Sequence, residues 1–92
     1  MENRSEFSIL RIRKVGALSG FPRSTIYDRI KRGLLTRPIK LGPNSSGWPD
    51  FEILEINRAT VAGATDEELR KLVSTLHDWR KSLASVREET HA

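Results

Sequence analysis

The sequence predicts a mainly α-helical fold carrying one small β-hairpin, and three observations predict it. Two short helical patterns are joined by the tight connection Ser19-Gly20-Phe21-Pro22. A run of turn residues, Gly42-Pro43-Asn44-Ser45-Ser46-Gly47, separates two short extended pieces. The last third of the chain spaces its apolar residues by threes and fours, the period of a helix. At 92 residues there is room for one modest core.

Residues 7–12 alternate apolar and polar imperfectly and suit one short strand. A helical pattern follows from Arg13, with Val15 and Leu18 on one side and Ala17 beside them, and Gly20 stops it. Gly16 inside this helix costs about 1 kcal/mol relative to Ala, so packing must hold the helix in place. Pro22 suits the start of a second helix, where a missing N–H goes unnoticed. That helix is expected from Arg23 to Arg32, ending at Gly33 as a left-handed cap. Its buried stripe is narrow: Ile26, Ile30 and Leu34, with Tyr27 at the edge. The opposite surface carries Arg23, Ser24, Thr25, Asp28, Arg29, Lys31 and Arg32. Next, Thr36 to Leu41 and the turn that follows predict a hairpin, or wing. Pro38 and Pro43 exclude a central strand and mark the hairpin as an edge. Trp48 is expected to anchor the hairpin base in the core. A third helix, from Asp50 to Val61, is expected to turn Ile53, Leu54 and Ile56 inward.

Ala62-Gly63-Ala64 then forms a small-residue joint, which divides the chain into residues 1–61 and residues 62–92. Thr65 followed three residues later by Glu68 is a capping box, so a fourth helix starts there. Leu69, Leu72, Leu76, Trp79, Leu83 and Val86 take a and d heptad positions along it, with Val73 widening the stripe. A helix reaching Glu89 would be about 36 Å long at 1.5 Å per residue, comparable to the preceding domain. The stripe therefore has two possible partners. Leu69, Leu72, Leu76, Trp79 and Leu83 are expected to serve self-association, with docking on the chain's own domain as the alternative. The end from Glu88 onward is expected to fray.

Charge divides the chain as well, between residues 49 and 50. Residues 1–49 hold ten Lys/Arg against three Asp/Glu, a net +7, and residues 50–92 hold six against nine, a net −3. A basic front suggests a polyanionic partner. With no cysteine, disulfides, thiolate zinc sites and thiol catalysis are excluded. His77 and His91 lack partners spaced for a triad or a metal site. Asp66, Glu67 and Glu68 suit a helix N-terminus rather than catalysis. No catalytic residue, cofactor or metal is expected, and no signal peptide or membrane span is evident. A cytoplasmic, nucleoid-associated protein is expected.

Two short helices around a tight turn make a helix-turn-helix, whose second helix enters the DNA major groove. Arg23, Ser24 and Thr25 stand where such a helix touches base edges, with Tyr27 and Asp28 on the same helix. Arg29, Lys31 and Arg32 suit phosphates, as do Arg37 and Lys40 on the wing. The wing placed directly after the second helix strengthens this reading.

The stretch SGFPRSTIYDRIKRGLLTRPIKLGPNSSGWP resembles the AlpA family of small prophage regulators. The resemblance rests on Gly20, Arg23, Ser24, Thr25, Ile26, Tyr27, Ile30, Gly33, Pro38, Ile39, Lys40, Leu41, Gly42, Gly47 and Trp48, and covers residues 9–58. Pro22 stands where the family has a capping Ser, and Leu35-Thr36 replaces the usual Phe-Pro. The resemblance implies a winged helix-turn-helix of the MerR/excisionase type that binds double-stranded DNA sequence-specifically. It further implies an excisionase-type recombination directionality factor that bends attachment-site DNA, or a transcriptional activator of mobile-element genes. A contrasting expectation is an interaction module whose C-terminal helix binds a recombinase (integrase) or polymerase.

Overall fold

The computed structural model describes the backbone of residues 6–90 and the side chains of residues 6–83. In chain order the elements are β1 (Ile9–Leu10), α1 (Ile12–Ser19), α2 (Arg23–Lys31), β2 (Ile39–Gly42), β3 (Ser45–Pro49), α3 (Asp50–Val61) and α4 (Asp66–Thr90). The class is the expected one: four helices and a small antiparallel sheet, with a winged helix-turn-helix order of elements. Val86 lies outside the described side chains. Against the fraying expected from Glu88, the backbone of α4 stays helical through Thr90, and residues 91–92 lie outside the described residues.

The strand order is β1-β3-β2. β3 is therefore central, not part of an edge pair, because β1 supplies it with a second partner through Ile9↔Pro49 and Leu10↔Trp48. Pro49 is tolerated there at the end of the strand, and the chain enters α3 at once with Asp50 N–H donating to the Ser8 carbonyl at 2.8 Å. Gly47 in the middle of β3 has a steric reason. A Cβ there would stand 2.5 Å from Ile9 Cγ2 and 3.0 Å from the Leu10 carbonyl oxygen.

Each turn uses the expected chemistry. Gly20 takes φ +82° at the end of α1, and its N–H donates to the Gly16 carbonyl. Gly33 takes φ +78° just after α2. Pro22 is the residue before α2 rather than its first turn, so α2 starts at Arg23 without a side-chain cap. At the head of α4 the capping box closes in both directions: Glu68 N–H donates to Thr65 Oγ1 at 3.1 Å, and Thr65 N–H donates to Glu68 Oε1 at 2.8 Å.

A single core runs through the molecule. Val15, Ile26, Leu34, Leu35, Trp48, Phe51, Ile53 and Ile56 share it with Leu69, Val73 and Leu76 of α4. Trp48 is fully buried, and its indole N–H donates to the Thr36 carbonyl at 2.9 Å. Two expectations change here. Leu54 is 44% exposed, because α3 turns Phe51, Glu52, Ile53 and Ile56 inward instead. α4 packs on α3 within the same chain, so the boundary at residue 61 does not separate two cores. Leu69 and Leu76 are buried in that packing, and Leu72 and Trp79 lie against it. Leu69 and Leu76 of the expected self-association seam are thus covered by their own domain and Leu72 and Trp79 partly so, while Leu83 stays exposed.

Aromatic residues complete the attachment. The rings of Phe51 and Trp79 meet edge-on with centroids 4.6 Å apart, and Phe7 closes a triangle with them at 5.5 and 5.7 Å. Edge-to-face pairs of this kind add roughly 0.5–1.5 kcal/mol beyond area burial. They fasten the N-terminal segment, α3 and α4 together.

Candidate nucleic-acid interface

The exposed face of α2 is the natural centre of the basic half. Arg23, Ser24, Tyr27, Asp28, Lys31 and Arg32 are all exposed along it, and Thr25 is half-buried. α2 can spare this face because Ile26 alone is fully buried in it and Ile30 only leans on the core. Its first turn carries no side-chain cap, which leaves the leading N–H groups of the helix available to an acceptor.

The wing flanks one side of this face. Arg23 and Tyr27 of α2 line a recess of about 450 Å³ together with Asn44, Ser46 and Trp48 of the hairpin and Arg11, Ile12 and Arg13 at the head of α1. Arg11 Nε donates to the Ser46 carbonyl at 3.0 Å and so ties the head of α1 to the wing. Arg11 and Arg13 line the recess although the helix and hairpin patterns did not single them out. The signal was present, since Arg11, Arg13 and Lys14 form the densest basic cluster before α2.

Not every predicted cation projects into this region. Arg29 is half-buried with its guanidinium 4.7 Å from the centre of the Phe21 ring, and its Nε lies buried without a hydrogen-bond partner among the described residues. It braces the turn between α1 and α2. Arg32 lies 3.6 Å from Asp28 on α2 and 3.7 Å from Asp66 on α4, so its charge is shared with carboxylates. Arg37 and Lys40 are exposed on the approach to β2 and on β2 itself, but neither lines the recess.

α4 fixes the segment that connects α2 to the wing. Arg70 Nε donates to the Arg32 carbonyl at the end of α2 at 2.9 Å. Farther along, His77 Nε2 accepts from the Arg37 N–H at 3.1 Å, and Arg80 donates to the Arg37 carbonyl at 2.7 Å. Arg80 also holds the fully buried Glu52 carboxylate through two hydrogen bonds of 2.8 and 2.7 Å. Burial, then the positive charges of Arg37 and Arg80, lower the His77 pKa below its usual 6.5, against the opposing pull of Glu52 and Asp78. A neutral imidazole is what the acceptor role requires.

Among the described residues, no group of His, Cys, Asp and Glu side chains could hold a metal ion, and no helix is long and apolar enough to cross a membrane. The family model described as prophage CP4-57 regulatory protein (AlpA) matches residues 8–58. That match takes in the sheet, α1, α2 and most of α3. No curated protein and no solved structure matches the chain.

Proposed function

The chain belongs to the AlpA family of prophage regulatory proteins, and on that footing we propose that it binds double-stranded DNA sequence-specifically with α2 in the major groove and the hairpin as a wing. The observation that carries this reading is the exposed polar face of α2, from Arg23 to Arg32, set beside the hairpin. An α-helix fits the major groove, and short donors and acceptors such as Ser24 and Thr25 suit its base edges. Arg23, the first residue of α2, lines the recess beside the hairpin. Lys31 and Arg32, with Arg37 and Lys40, add the phosphate attraction that supplies most affinity but no sequence information.

On this reading the protein works on DNA in the cytoplasm as a recombination directionality factor of a prophage or integrative element. It would bend attachment-site DNA for an integrase. Gene regulation is the second reading, favoured by the word "regulatory" in the family description. Footprinting on the DNA that flanks the gene tests both. Repeated protected sites at an integration junction identify the directionality factor, and one protected site at a promoter identifies the regulator. Absence of any salt-dependent protection would remove DNA binding itself and leave α4 as a docking element for a protein partner.

A further inference from the structure

We propose that the recess between α1, α2 and the wing is a seat for one DNA backbone phosphate, held chiefly by Arg11 and Arg13; this rests on the DNA-binding reading and deepens it. Three arginines, Arg11, Arg13 and Arg23, line one concavity of about 450 Å³. No carboxylate is among its lining residues. Three like charges around one hollow repel one another, and an anion between them relieves that repulsion. Planar guanidinium forks also match phosphate oxygens better than any other side chain.

Geometry narrows the anion to a phosphodiester of the duplex. The recess has the leading turn of α2 on one side and the hairpin turn, with Asn44 and Ser46, on the other. With α2 in a major groove and the wing beyond it, the strand that separates the two grooves must cross this opening. Arg11 is already fixed at one N–H by the Ser46 carbonyl, so its remaining donors are held in place at little entropic cost. The Arg13 side chain has no hydrogen bond or ion pair among the described residues, and Arg13 also lines the crevice between α1 and α2 with Arg23. Asn44 adds a side-chain amide that can donate to the same phosphate. The α1 start contributes as well: Arg11 precedes it without capping it, so the first-turn N–H groups stay open. Seating the phosphate would set the register of α2 along the groove before any base is read.

The test uses the full-length protein and a duplex from its footprinted site, with single phosphates replaced one at a time by neutral methylphosphonates. Wild-type binding should weaken on the order of tenfold at one position, on the strand between the α2 and wing contacts. Arg13→Gln, which disturbs no described contact, should weaken binding similarly and flatten the log–log salt slope by about 0.9. It should also erase the sensitivity at that one position. Wild-type binding with no sensitive position there, or with the sensitivity and slope unchanged in Arg13→Gln, overturns the phosphate seat and leaves the DNA-binding reading standing. Failure of the wild-type protein to bind any duplex at low salt overturns both.

Discussion

At the scale of single residues, Glu52 and Arg80 are the pair on which most depends. Glu52 is fully buried, and Arg80 satisfies its carboxylate with two hydrogen bonds while gripping the Arg37 carbonyl. Removing one partner of a buried pair strands the other charge, at a cost of about 3–5 kcal/mol. Arg80→Ala should therefore lower the unfolding free energy by about that much, read from urea denaturation followed by Trp fluorescence. The double variant Glu52→Leu with Arg80→Met should recover most of the loss, because well-packed apolar residues can replace such a pair at little cost. A double variant as unstable as Arg80→Ala would show that the grip on Arg37, not the ion pair, is what matters. Arg23 makes a second residue-scale case. It lines the recess, and its guanidinium lies 5.8 Å from the centre of the Tyr27 ring. Arg23→Ala should weaken binding to the target and to random duplex by similar factors, roughly tenfold each. A loss confined to the target would return Arg23 to base readout and leave the recess to Arg11 and Arg13.

At the scale of elements, the junction between α2 and the wing hangs on α4. The acceptor in its middle is the neutral His77 imidazole. Protonation replaces that acceptor with a donor facing a donor, and it does so beside Arg37 and Arg80. Because the folded-state pKa lies below 6.5, folding favours the neutral form. The resulting stability is complete above about pH 6.5 and is lost as pH falls through the lower folded value. The protein should thus lose stability as pH falls below about 6.5 more steeply than His77→Gln, compared by thermal melts. Parallel pH profiles would mean that the Arg37–His77 bond contributes nothing. Much at this scale was legible in the sequence. Gly20, Gly33 and the Thr65–Glu68 box each obey a local rule about left-handed caps or orphaned N–H groups, and local rules need no tertiary knowledge. Leu54 and Arg29 were not legible. Which way α3 rolls depends on Phe51 meeting Trp79, and Arg29 turns inward because Phe21 offers a ring face. Both are contacts between distant or differently oriented elements, which periodicity does not encode.

At the scale of the whole molecule, the decisive question is what α4 covers. Spacing of three and four residues describes a stripe that packs on another helix, and it reads the same whether that helix belongs to the same chain or to another. The side chains that hold α4 to its own domain were inconspicuous in the sequence: Phe7 and Phe51 meet Trp79, and Arg37 and Glu52 meet Arg80. Leu69, Val73 and Leu76 spend the stripe on the chain's own core. Leu76 is fully buried, so Leu76→Glu places a carboxylate among apolar groups at a cost of several kcal/mol. A domain of this size has about 5–14 kcal/mol of total stability, so the variant should be largely or wholly unfolded. It should then lose binding to a single DNA site as well as to paired sites. Leu83→Glu is the matched control. Leu83 is 41% exposed on the same helix, and a charge there should change stability by no more than about 0.5 kcal/mol. Thermal melts, sedimentation of the free proteins and binding to one-site and two-site DNA together decide the matter. An unfolded Leu76→Glu beside a folded Leu83→Glu that keeps single-site binding places the seam's main role within the chain. A folded, monomeric Leu76→Glu that loses only cooperative occupancy of paired sites would restore the seam to contact between copies.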